Sequence, residues 1–180
     1  MIVDEAFNKL LQIKRNVVES CEVCGGTGYL PEVNEYGDNY CECMIRFEWI
    51  MRLVDAGIPY PYWHLSIKEL HIDNAYKSLA KYFLKNLDSA VEKSMGLMFR
   101  GANGVGKTSL MVEIGKWALT SGYRVRYVTV QKYVNSVIDS PEYIEWALDS
   151  DLLLLDELDK VYIKQGSHYV SRTLEDLLRR

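Results

Sequence analysis

The spacing of apolar and polar residues along the chain predicts a series of helices. Apolar side chains recur every three or four residues, the period of one helix face, in six segments. These segments are 6–18, 44–54, 74–87, 109–119, 131–140 and 143–148. Glycine or proline follows several of them, as at Gly57 and Pro141, where a helix is expected to end.

Three further runs are apolar or β-branched with little interruption, which is typical of strands buried inside a sheet. They are 96–100, 123–130 and 151–155. Because helical segments separate these runs, the pattern predicts an α/β fold, with a parallel sheet and helices on both faces.

A glycine-rich loop, G-A-N-G-V-G-K-T, connects the first predicted strand to a helix and matches the P-loop pattern G-x-x-x-x-G-K-[ST]. Glycines let the backbone wrap around a phosphate, and backbone amides at a helix N-terminus attract the anion. Lys107 is suited to reach the β- and γ-phosphates of ATP, and the hydroxyl of Thr108 to bind Mg²⁺. The predicted ATP-binding residues are Gly101, Ala102, Asn103, Gly104, Val105, Gly106, Lys107, Thr108 and Ser109. The alternative is a chance glycine-rich turn.

Two acidic residues, Asp156 and Glu157, follow the third apolar run directly. Ligands of open α/β sheets bind at the carboxyl ends of the strands, so these acids fall where a nucleotide is expected. We predict that Asp156 binds Mg²⁺ and that Glu157 orients and deprotonates the attacking water. With Lys107 they form the predicted catalytic set, and the adjacent Asp and Glu favour an ATPase over a GTPase or nucleotide kinase. The alternative is a buried strand that ends in solvated acids.

The four cysteines lie in two close pairs, Cys21 with Cys24 and Cys41 with Cys43. In a reducing compartment such pairs are typical of a metal site, and a redox pair or unrelated thiols are the alternatives. Four thiolates form a closed tetrahedral Zn²⁺ site of the structural kind. We therefore predict a zinc-binding module over 1–57 and an ATPase core over 58–180.

Charge and hydropathy indicate which kinds of partner and which cellular compartment to expect. A net charge of −4 argues against binding held mainly by nucleic-acid phosphates. Residues 1–57 contain five Lys and Arg against ten Asp and Glu, which favours a protein partner for this module. No apolar run reaches the length of a membrane span and no signal-peptide pattern is present, so we predict a cytoplasmic protein without a membrane partner.

For two segments the sequence is compatible with two different roles. The aromatic connector 58–63 either lines an adenine pocket or is a packed linker. The segment 160–172 mixes lysines with tyrosines, and it either contacts single-stranded DNA by stacking or forms a solvated helix face.

The motifs together resemble the bacterial and phage replicative helicase loaders of the DnaC/DnaI type, which are AAA+ ATPases. The resemblance lies in C-x-x-C-G-G-T-G-Y, a Gly-Ile-Pro connector, G-A-N-G-V-G-K-T and L-L-L-L-D-E-L, and it covers most of the chain. The P-loop and the Asp-Glu strand are specific for the ATPase class. The cysteine module is what favours the loader over the related transposition helper ATPases of the IstB type.

The resemblance implies an AAA+ type P-loop NTPase fold and a zinc module that grips a hexameric replicative helicase. It also implies ATP-dependent homo-oligomers that hold single-stranded DNA, with hydrolysis releasing the loader. Members of this class continue beyond the Asp-Glu strand with a sensor strand and an arginine finger. Because this sequence ends at Arg180, we expect a core that lacks its fourth and fifth strands. We accordingly expect weak hydrolysis by this chain alone. The alternatives are a transposition helper, which would favour duplex DNA and a transposase, and a nucleotide-binding adaptor without turnover.

Overall fold

The computed structural model describes residues 8, 10–33, 37–139 and 141–158. The chain divides into two compact units, Met1–Asp55 and Ala56–Arg180. Within the described ranges, no helix is both long enough and apolar enough to cross a bilayer. The segment 160–172 lies outside the described residues, so its interpretation stays a prediction.

Two helical segments form the first unit; Cys21, Cys24 and Cys41 lie between them, and Cys43 lies in the first turn of the second. Residues 10–14 are helical and continue into a π-helical turn, Arg15–Glu19. Helix α1 spans Glu42–Asp55, close to the prediction of 44–54. An antiparallel bridge joins Tyr29 to Tyr40 and closes the excursion between the two cysteine pairs.

The small core of this unit includes two of its cysteines. Val18 is 2% exposed and packs with Cys41 and Cys43, which are also buried. So small a unit has little apolar core, and a bound metal is one of the usual means of stabilising such a module.

The second unit begins with a connector and two helices rather than one. A 3₁₀ turn spans Tyr60–Tyr62, α2 spans Asn74–Lys85 and α3 spans Leu87–Glu92. The helix predicted over 74–87 is therefore confirmed over Asn74–Lys85, and the prediction missed the break at Asn86. Asn86 lies at φ −113° and ψ 23°, and its side-chain amide donates to the carbonyl of Tyr82 at 2.8 Å. A side chain that binds a backbone carbonyl in this way competes with the next helical hydrogen bond, and the chain restarts as α3.

Residues 96–100 form no strand, so the prediction for this run is also wrong. Leu97 and Phe99 are half-buried but Met98 is 77% exposed, unlike a strand buried on both faces. A strand also needs a hydrogen-bonded neighbour, and in the described part of the chain this run has none. Apolar character alone suggested the strand, and it does not specify a pairing partner.

A parallel two-stranded sheet lies at the centre of the second unit. Strand β1 spans Val125–Thr129 and β2 spans Leu152–Asp156, with Val125 opposite Leu152 and Thr129 opposite Asp156. On the other edge of β1, the amide of Tyr127 donates to the carbonyl of Ala56 at 2.7 Å. The strands predicted over 123–130 and 151–155 are thus confirmed within one or two residues.

Helices cover both faces of this sheet. Helix α4, Lys107–Thr120, packs on one face, while α5, Val130–Asp139, and α6, Pro141–Leu148, pack on the other. Gly115 allows α4 to approach closely, since a Cβ there would lie 2.5 Å from Cδ1 of Leu154. The predicted α/β class is confirmed, and the part of the chain that the structure describes contains a sheet of two strands.

Candidate functional site

The four cysteines meet in the first unit, and all four are among the described residues. Their sulfurs lie within 4.8 Å of one another, with 3.8 Å from Cys21 to Cys41 and 3.5 Å from Cys24 to Cys43, and none forms a disulfide. A tetrahedral zinc with Zn–S bonds of about 2.3 Å separates its sulfurs by about 3.8 Å. The cluster could therefore hold a metal such as zinc.

A glycine turn brings the first cysteine pair into place. Gly26 has a φ of +83°, and a Cβ there would lie 2.8 Å from the carbonyl oxygen of Glu19. Its amide donates to the carbonyl of Cys21 at 3.1 Å. The turn thus requires glycine at position 26 for two reasons, the left-handed backbone and the close approach.

The thiols of the cluster differ in their affinity for protons. Burial raises the pKa of Cys24, but hydrogen bonds from the Gly28 amide, at 3.2 Å, and from neighbouring thiols outweigh it and lower that pKa. Burial and the thiol of Cys24 raise the pKa of Cys43. A cation that needs thiolate ligands would therefore displace protons when it binds.

The glycine-rich loop leads directly into α4, which begins at Lys107. Gly106 has a φ of +88°, and a Cβ on it would lie 2.9 Å from Cγ2 of Ile72. The Nζ atom of Lys107 donates to the carbonyls of Gly101 and Ala102 at 2.9 and 2.8 Å. The ammonium group therefore lies over its own loop, beside helix amides that attract anions.

Thr108 and Asp156 meet although 48 positions separate them in the sequence. The hydroxyl of Thr108, in the first turn of α4, donates to Oδ1 of Asp156 at 3.2 Å. Asp156 is the last residue of β2, so its carboxylate lies at the carboxyl end of that strand. Hydroxyl and carboxylate oxygens are hard ligands of the kind that Mg²⁺ prefers. The chemistry of this pair fits the magnesium ligands expected from the sequence.

Glu157 has an unusual backbone. Its φ is +59°, and Ser94 is the other non-glycine residue with positive φ among those the structure describes. The amide of Glu157 donates to Oδ1 of Asp156 at 2.8 Å. Strained backbone of this kind persists where its surroundings impose it, and it is frequent at functional sites.

The sequence interpretation missed Tyr127, a residue in the middle of β1. Its hydroxyl donates to Oδ2 of Asp156 at 2.7 Å. Burial and this hydrogen bond raise the pKa of Tyr127 far above its ordinary value, so the phenol keeps its proton and remains a donor. The register between β1 and β2 brings the two together, and residue patterns within each strand do not reveal that register.

A second missed feature is a buried ion pair on α4. Glu113 and Lys116 are 4% and 9% exposed, and their side chains meet at 2.5 Å. Lys116 also donates to the carbonyls of Tyr62 and Leu65, and Glu113 accepts from the amide of Ile67 at 2.9 Å. The sequence feature that indicates this ion pair is two opposite charges spaced i, i+3 inside an otherwise apolar stretch of helix.

This ion pair attaches the connector to the helix that begins at the glycine-rich loop. Within the connector, the indole of Trp63 donates to the carbonyl of Ile58 at 2.7 Å, and its ring stacks edge-on with Tyr60. These contacts fit the interpretation of 58–63 as a packed linker, and the adenine contact stays a prediction.

Comparisons of the chain with known proteins give no relative. No family model, no curated protein and no solved structure matches it. The functional interpretation therefore depends on the residues and their geometry.

Proposed function

We propose that the second unit binds ATP and Mg²⁺ as a P-loop ATPase of the AAA+ type. The contact between Thr108 and Asp156, at 3.2 Å, carries this proposal. It sets a hydroxyl at the start of the helix beside a carboxylate at the end of a neighbouring strand. A Mg²⁺–nucleotide site needs this pair next to its phosphate-binding loop. A chance glycine-rich turn would give no reason for the convergence.

Each residue of the site then has a role. The loop amides from Gly101 to Gly106 hold the phosphates, and Lys107 exchanges its two backbone carbonyls for the β- and γ-phosphate oxygens. Thr108 and Asp156 hold Mg²⁺, which neutralises charge on the phosphoryl oxygens. Glu157 orients the attacking water and accepts its proton. We expect slow hydrolysis by the chain alone.

Calorimetric titration of ATP, with Mg²⁺ and with EDTA, tests this part of the proposal. The natural protein should bind ATP more tightly with Mg²⁺ than without it. Asp156→Ala should remove most of that difference, because it removes a predicted Mg²⁺ ligand but no phosphate contact. Absence of saturable ATP binding in either buffer would contradict the proposal.

We further propose that the protein loads a hexameric replicative helicase onto single-stranded DNA, with the cysteine module as the part that docks. The cysteine cluster and the resemblance stated above support this role. Val23, Val33 and Ile45 of the same unit are 76%, 65% and 58% exposed, and the proposal assigns the contact with the helicase to these side chains. ATP-dependent assembly of several copies belongs to the same proposal.

Capture of a purified bacterial or phage replicative helicase on the immobilised protein tests the loader role. Val23→Asp and Ile45→Asp should reduce capture, whereas Met98→Asp should not, although Met98 is 77% exposed in the other unit. Capture that is indifferent to all three variants would count against docking through the cysteine module. Preference for duplex DNA and a transposase would instead support the transposition helper. ATP binding without turnover, whether or not single-stranded DNA is present, would support the adaptor.

A further inference from the structure

Three hydrogen bonds hold the carboxylate of Asp156. Oδ1 accepts from the amide of Glu157 at 2.8 Å and from the hydroxyl of Thr108 at 3.2 Å. Oδ2 accepts from the hydroxyl of Tyr127 at 2.7 Å. Glu157 and Thr108 belong to the proposed site, so Tyr127 is the one donor of the three without a role.

The sheet itself aligns Tyr127 with Asp156. Tyr127 lies opposite Leu154, two residues before Asp156, and aligned residues of parallel strands point to the same face. That face is the one against α4, since Val125 and Leu154 provide the atoms nearest to Gly115. Both ends of the hydrogen bond therefore belong to paired strands, which hold side chains more precisely than loops do.

We propose that Tyr127 is a positioning residue that fixes the Asp156 carboxylate for Mg²⁺ in the nucleotide complex. This inference rests on the proposed function. The phenol binds Oδ2, so the carboxylate cannot rotate freely, and Oδ1 stays directed at Thr108. The proposal assigns the effect to the hydroxyl group alone, because phenylalanine would keep the ring and its packing.

The expected effect follows from how outer partners act on metal ligands. Groups that hydrogen-bond to a ligating carboxylate fix its orientation, and their removal typically weakens metal binding or activity by about 10- to 100-fold. Asp156 retains two other donors when Tyr127 is changed, so we expect the lower end of that range.

The test measures ATP affinity by calorimetry, with Mg²⁺ and with EDTA, for the natural protein and for Tyr127→Phe. We expect the variant to bind ATP about tenfold more weakly with Mg²⁺ and within about twofold of the natural protein in EDTA. Tyr123→Phe is the matched control, because the Tyr123 hydroxyl also donates to a carboxylate, that of Asp88. This control should leave both affinities unchanged.

A double-mutant cycle and thermal unfolding separate positioning from a structural role. In an Asp156→Ala background, Tyr127→Phe should change the Mg²⁺ effect no further, because the carboxylate that it orients is gone. Thermal midpoints of all variants show whether they are folded. If Tyr127→Phe lowers the thermal midpoint, the double-mutant cycle still separates the two roles. It compares the ratio of ATP affinities with Mg²⁺ and with EDTA, and this ratio is measured within each protein.

Two results would overturn the assignment of Tyr127 while leaving the proposed function intact. One is an unchanged ATP affinity of Tyr127→Phe in both buffers while the natural protein binds ATP with Mg²⁺ dependence. The other is an equal loss in both buffers, which would mean that the hydroxyl supports the fold rather than the metal ligand. If the natural protein binds no ATP in either buffer, the proposed function fails and the assignment of Tyr127 fails with it.

Discussion

Replacing Lys116 with methionine should strongly destabilise the second unit. The ammonium group of Lys116 has three N–H donors, and the structure gives it three acceptors: Glu113 and the carbonyls of Tyr62 and Leu65. Methionine fills a similar volume but donates no hydrogen bond. The variant therefore leaves the Glu113 side chain buried without its cation, and it leaves two carbonyls without their donor.

The size of the loss follows from the burial of the pair. Breaking a buried ion pair by removing one partner costs about 3–5 kcal/mol, because the remaining charge has no compensation. A domain is stable by about 5–15 kcal/mol in total, so this is a large fraction. At about 3–5 °C per kcal/mol for a unit of this size, the unfolding midpoint should fall by about 10–25 °C.

Thermal and urea unfolding followed by circular dichroism measure this loss. The urea midpoint should fall while the slope stays the same, since the exposed surface on unfolding is unchanged. A double variant, Glu113→Gln with Lys116→Met, should recover part of the stability because it buries no charge. Arg124→Met is the control: Arg124 pairs with Asp149 and Asp151 but is 55% exposed, so the variant should lose no more than about 1 kcal/mol.

A loss of less than about 1 kcal/mol for Lys116→Met would refute this reasoning, since even an exposed pair can contribute that much. A double variant less stable than Lys116→Met would also refute it, because the uncompensated carboxylate would then not be the source of the loss.

Three further predictions concern other parts of the molecule. Gly26→Ala should weaken Zn²⁺ binding in a chelator competition more than Gly25→Ala, because both positions have positive φ but a Cβ meets the backbone only at Gly26. Ser94→Gly should raise the urea midpoint by the equivalent of about 1 kcal/mol, because Ser94, at φ +51°, ends α3 in the left-handed region. Asp151→Asn should destabilise the protein near neutral pH but not in acid. Hydrogen bonds from the backbone and side chain of Arg124 hold the pKa of Asp151 below its ordinary 3.8, so its contribution is present above that pH and is lost as the pH falls through the lower, folded-state pKa.

Each of the three has a clear contrary result. Equal zinc affinities for the two alanine variants would show that the approach to Glu19 does not constrain the turn. A lower midpoint for Ser94→Gly would mean that the serine side chain contributes more than the backbone strain. A stability difference for Asp151→Asn that persists unchanged to pH 2 would rule out the linkage to this carboxyl group.

Periodicity predicted most of the helices and two of the three strands, because it reports which side of an element is buried. It did not reveal the helix break at Asn86, where a side chain binds a backbone carbonyl, and it was wrong over 96–100, where a strand would need a pairing partner. A hydrophobic run indicates that its residues prefer an apolar environment. It does not indicate which chain segment provides the neighbouring hydrogen bonds.

The same distinction applies to the candidate site, where local sequence patterns could be predicted and contacts that depend on the fold could not. The cysteine pairs are local patterns, and so is the glycine-rich motif over 101–108, so both were visible in the sequence. The pairing of Thr108 with Asp156 could be expected because carboxyl ends of parallel strands meet ligands. Tyr127 could not, because its contact with Asp156 depends on the register of β1 against β2. The spacing of Glu113 and Lys116 was visible in the sequence, but the carbonyls of Tyr62 and Leu65 that Lys116 also binds were not.

Calorimetry of Mg²⁺–ATP binding to the natural protein and to Lys107→Ala tests the central claim most directly. Lys107 has carbonyl partners in the loop now and phosphate partners in the proposed complex, so the variant should keep its fold and lose ATP affinity. We expect affinity to fall at least tenfold at an unchanged unfolding midpoint. Equal affinity in the two proteins would contradict the ATPase assignment, and the helicase-loader proposal with it.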